Sequence, residues 1–141
     1  MARSPASPAA NGRDIPVAFV DSSAIVALVD RDDAVHTAAV EAYRDLLAGG
    51  YRLFTTNHVV VETFDLLSIG AGPAVARRWL QEMKLAIYHA TEEDEQEARR
   101  LMIRRDGTPP QSLTDAISRV VMKRLGVADA FAVDPNVLGD A

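Results

Sequence analysis

Four short apolar runs, Val17–Val20, Leu53–Thr55, Leu85–Tyr88 and Ala130–Val133, recur along this 141-residue chain with helical stretches between them. A run of three or four apolar residues without polar alternation is the mark of a strand covered on both faces, as in a parallel sheet. Strands that alternate with helices leave little choice of topology, because parallel neighbours need right-handed crossover connections. The expected fold is therefore α/β, a three-layer α/β/α domain around a central parallel sheet of four or five strands.

The punctuation between the runs agrees with this plan. Asp33 is a candidate cap for a helix ending near Ala48, where Gly49 and Gly50 stop it. Asn57 is a candidate cap for the next, which carries Val60, Val61, Phe64 and Leu67 and breaks between Gly70 and Pro73; a further helix then runs to about Met83. Thr91 opens a helix with Glu92, Glu93, Asp94 and Glu95 in its first turn and Arg99 to Arg105 near its end, the order that complements the helix dipole. Ser112 caps a last helix, and Gly126 supplies its left-handed stop. Residues 1–14, rich in Ala, Ser and Pro and without apolar periodicity, are expected to be a disordered leader to a domain over 15–141.

Composition narrows the chemistry. The chain has no cysteine, so thiolate catalysis, disulfides and Cys-based metal sites are excluded, and a metal must sit on oxygen or His. No apolar run is long enough to span a membrane, and a cytoplasmic location is expected. The net charge of −5 argues against a generic basic nucleic-acid binder. It is compatible with a metal-dependent nuclease, which must gather carboxylates in one cleft.

Such a gathering is visible in the order of the acids. In an open parallel sheet, ligands bind at the carboxyl ends of the strands. Asp21 follows the first apolar run and Asp134 follows the last; Asp115 lies in the first turn after Ser112, and Glu62 lies early in the helix after the second run. All four can reach one edge. A pair of like charges at ~4 Å costs about 4 kcal/mol at an effective dielectric of about 20, so the cluster calls for a cation. An all-oxygen set suits Mg²⁺, with Mn²⁺ able to substitute. Each acid also has a structural reading: Asp21 as a helix cap, Asp115 as part of a capping box, Asp134 as a turn residue before Pro135.

The segments Phe19-Val20-Asp21-Ser22-Ser23-Ala24, Thr56-Asn57-His58-Val59-Val60-Val61-Glu62-Thr63, Ser112-Leu113-Thr114-Asp115-Ala116 and Ala130-Phe131-Ala132-Val133-Asp134 together resemble the PIN-domain ribonucleases, and among them the VapC-type toxins. The resemblance runs from about Val17 to Asn136. It implies that Asp21, Glu62, Asp115 and Asp134 are the catalytic, metal-binding acids, with Ser112, Ser23 and Asn57 hydrogen-bonding around them. It further implies Mg²⁺-dependent cleavage of RNA, homodimers, and neutralisation by a VapB-type antitoxin. The chain departs from the family where Pro135-Asn136-Val137 replaces a basic residue and a Phe, and in lacking a further strand after the fourth acid. Two other functions compete: a haloacid-dehalogenase-like phosphatase with Asp21 as nucleophile, and a non-catalytic PIN-like binding module. Which RNA is cut, and which residues bind it, is not legible at this level.

Overall fold

The computed structural model of the protein describes residues 14–104, 107–108 and 110–133. The expected leader, Asp14 apart, and Asp134 lie outside the described residues. In chain order the elements are β1 (Val17–Val20), α1 (Ser22–Val29), α2 (His36–Ala48), β2 (Arg52–Thr56), α3 (Asn57–Gly70), α4 (Pro73–Glu82), β3 (Ala86–Tyr88), α5 (Glu92–Ile103), α6 (Leu113–Leu125) and β4 (Asp129–Phe131). The strands form one parallel sheet in the order β3-β2-β1-β4.

This order explains the three layers. The chain steps from β1 to β2 to β3 in one direction and then returns past β1 to add β4, so right-handed crossovers place α1–α4 on one face and α5–α6 on the other. The buried side chains divide accordingly. Phe19, Ile25, Val59, Leu67, Trp79 and Phe131 belong to the larger cluster, and Ala98, Ala116, Ile117, Val120 and Val121 to the smaller. Phe54 packs against both and meets Phe19 edge-to-face, with ring centroids 5.5 Å apart.

Three local expectations are corrected. The last strand ends at Phe131, because β1 ends at Val20 and offers Ala132 and Val133 no partners; the Asp21 N–H donates to the Phe131 carbonyl at 3.0 Å and closes the ladder. Asp33 does not cap α2: its carboxylate accepts the Val35 N–H at 2.9 Å inside a preceding turn, and α2 starts at His36 without a side-chain cap. Asn57 is already helical, and Thr56 caps α3 by accepting the Val59 N–H at 3.2 Å. Thr91, Ser112 and Gly126 take the expected roles, with Gly126 left-handed at φ 70°. Among the described residues no helix is long and apolar enough to cross a membrane.

Candidate active site

The strand order reverses between β1 and β4, and at such a switch point the connections diverge and leave a crevice beyond the carboxyl ends of the strands. Asp21 stands at that point, only 2% exposed. Its Oδ2 accepts the Ser23 N–H at 3.0 Å and the Ser23 hydroxyl at 2.7 Å, so it caps α1 as well as facing the crevice. Ser23 also accepts at its Oγ the N–H of Val133, at 3.3 Å, which fastens the segment after β4 to the start of α1.

Glu62 enters from the second turn of α3. Its Oε2 accepts the hydroxyl of Ser22 at 2.7 Å, a bond across 40 residues of sequence that fixes the carboxylate at the base of α1. The sequence pattern does not mark Ser22 for this part, and its one signal is a hydroxyl next to the strand-terminal acid. Asn57 does not touch these acids. Its Oδ1 accepts the Ala90 N–H at 3.0 Å and ties α3 to the loop before α5. His58, one residue on, pairs with Glu95 at 2.9 Å.

Asp115 is the most perturbed acid in the crevice. Ser112 caps α6 by accepting the Asp115 N–H at 3.0 Å, which presents the Asp115 side chain at the helix start. The carboxylate does not close the reciprocal half of the capping box. Its Oδ2 accepts instead from the Gln111 N–H at 3.2 Å and lies 3.4 Å from the Arg119 guanidinium, one turn along α6. Its Oδ1 is buried and no donor reaches it. Burial pushes the Asp115 carboxyl up to about 6, against the pull of Arg119 and the Gln111 N–H, and the nearby charges of Asp21 and Glu62 push the same way.

The charges of Asp21, after β1, and Glu62, on α3, thus reach Asp115 at the start of α6. Among the described residues no three acids or imidazoles are grouped to hold one ion, and Asp134 lies outside them. The Asp115 Oδ1, buried without a hydrogen-bond donor beside two further negative charges while Arg119 pairs with the other oxygen, nevertheless has the chemistry of a cation ligand.

Comparison with known proteins assigns the fold to a family. A family model described as PIN domain matches residues 18–136. The chain belongs to the PIN-domain family. Among family members, the 23S rRNA-specific endonuclease VapC20 from two strains of Mycobacterium tuberculosis is 32% identical over 119 residues, covering 82% of this chain and 88% of the relative. The crystal structure of Mycobacterium tuberculosis VapC20, described as a sarcin-ricin loop cleaving toxin, superposes with a TM-score of 0.72 at 30% identity, covering 85% of this chain and 91% of that one. PIN-domain membership and this kinship make the protein a nuclease of the ribonuclease-toxin type, and the phosphatase reading of Asp21 is set aside. Proteins of this family generally act with a divalent metal.

Proposed function

We propose that this protein is a Mg²⁺-dependent endoribonuclease and the toxin of a type II toxin–antitoxin pair, held inactive by a VapB-type antitoxin and acting as a cytoplasmic homodimer. The observation that carries the reading is Asp115, a buried carboxyl with an oxygen that no donor reaches, raised to about 6 in company with Asp21 and Glu62. Asp21, Asp115 and Asp134 would hold Mg²⁺, with Glu62 as a further ligand or as the group that orients the attacking water. Bound there, the ion would supply Lewis-acid activation of a water and charge stabilisation at the phosphate.

The chain's own side chains prepare the rest. Ser23 holds one oxygen of Asp21, so that carboxylate meets its ligand in a single orientation. Ser22 does the same for Glu62, leaving the second carboxylate oxygen to accept a proton from water. Ser112 and the Gln111 N–H fix Asp115. The kinship with VapC20 makes a hairpin carrying the sarcin–ricin loop the first substrate to offer.

Purified protein incubated with that labelled hairpin and MgCl₂ is expected to cut it at one site. EDTA and Asp21→Asn should each reduce the rate by about a thousandfold, since several kcal/mol of metal-supplied stabilisation is lost. Cleavage that persists unchanged in EDTA and in Asp21→Asn refutes the reading.

A further inference from the structure

A second concavity lies outside the crevice, between α5 and α6. It is a groove of about 610 Å³ lined by Glu97, Leu101, Arg119, Val120, Lys123 and Arg124. Three of its six lining residues are cations, in a protein whose net charge is −5. Its lone acid is already engaged, because Glu97 accepts from Arg100 at 2.8 Å. Arg124 is likewise committed, to Glu93 and to the buried Asp94, both at 3.1 Å. Lys123 is different: it is exposed, and no ion pair involves it among the described residues.

The placement of these cations is directional. Asp115, Arg119 and Lys123 follow one another at intervals of four along α6, so they share a face and rise about 6 Å per step. That step is close to the separation of consecutive phosphates along a nucleic-acid strand. Arg119 already sits 3.4 Å from Asp115, so the row of positive charge begins at the edge of the candidate active site and leads away from it. The apolar floor of Leu101 and Val120 gives a sugar or base a dry surface between the charges.

We propose that this groove is the track on which the RNA substrate's phosphate backbone lies as it leaves the site, with Arg119 and Lys123 contacting successive phosphates. The proposal rests on the ribonuclease reading and extends it to substrate binding. Backbone contacts of this kind set affinity and register without reading sequence.

The test is the affinity of the full chain for a fluorescein-labelled single-stranded oligoribonucleotide, measured by anisotropy in EDTA across a salt series. Lys123→Gln is expected to weaken binding about fivefold at low salt and to lower the slope of log affinity against log salt by about 0.7. Lys123→Arg should restore both, and Lys84→Gln, the same charge change outside the groove, should alter neither. Thermal melts of each variant establish that it is folded. If Lys123→Gln binds like wild type, or if Lys84→Gln loses as much, the groove is not the track, even though wild-type protein still cuts RNA. If Lys123→Gln leaves RNA binding intact but abolishes capture of a negatively charged protein segment, the groove serves a protein partner and the proposal is overturned. Wild-type protein that neither binds nor cuts RNA overturns the ribonuclease reading itself, and this proposal with it.

Discussion

Asp94 and Asp115 stand at the same place in two helices that pack against one another. Each is the third residue after a hydroxyl cap, Thr91 for α5 and Ser112 for α6, and each is buried, at 0% and 3% exposure. Each has an Oδ1 without a hydrogen-bond donor and an arginine beside it, but their other surroundings differ. Asp94 closes its capping box on the Thr91 N–H at 2.9 Å, accepts the Tyr88 hydroxyl at 2.8 Å and lies 3.1 Å from the Arg124 Nε. Burial opposes its ionisation, but the Thr91 N–H, the hydroxyls of Tyr88 and Thr91 and the charge of Arg124 outweigh it and hold the carboxyl below its usual value. In turn the bond to Asp94 raises the Tyr88 hydroxyl. Asp115 has fewer donors and two acidic neighbours, and goes up. One local motif therefore yields a group that staples the fold and a group that, in the proposed function, takes a cation, and only tertiary context tells them apart.

The pair can be separated most sharply by substitution. Asp115→Asn should reduce RNA cleavage by about a thousandfold, because a cation ligand is lost, while leaving the thermal midpoint unchanged or higher. Asp94→Ala should do the reverse. It leaves Arg124 with only Glu93 as a partner and opens a buried polar network, so stability should fall by about 2 kcal/mol in urea while the folded enzyme keeps its kcat. A variant pair in which both substitutions lower activity and stability alike breaks the distinction.

Exchange of the two cap hydroxyls makes a finer comparison. Thr91→Ala and Ser112→Ala should each cost about 1 kcal/mol of stability, the usual worth of such a cap. Only Ser112→Ala should also slow cleavage, by about tenfold, since it frees the acid it positions.

The pair also differs in the pH dependence of stability, measured by urea unfolding in EDTA. Between its ordinary value of 3.8 and about 6, Asp115 holds more proton in the folded than in the unfolded state. Stability should therefore fall as pH rises through that window and level off above it, and Asp115→Asn should remove this slope. Asp94 acts with the opposite sign: its contribution is present above 3.8 and is lost as pH falls through its depressed folded value.

The sheet is legible in the sequence because four apolar runs, separated by helix caps and glycine stops, admit few arrangements. Asp21, Glu62 and Asp115 are legible as candidates because each lies close after a strand or a cap. Ser22, Gln111 and Arg119 are not, since their importance comes from contacts made only after folding, such as the bond from Ser22 to Glu62 across the sheet edge. The end of β4 escapes the apolar pattern because apolar residues extend past the point where β1 has a partner to offer. The cap of α3 escapes it for a related reason, as Thr56 and its neighbour Asn57 have equal claim to that position on residue type alone.

The bond from the Val133 N–H to Ser23 joins the first helix to one of the last described segments to emerge during synthesis. β1 lies inside the sheet, and one of its flanks stays bare until residues 129–133 arrive. A chain truncated before residue 129 would lack both the strand that pairs with that flank and the Val133 N–H that Ser23 holds.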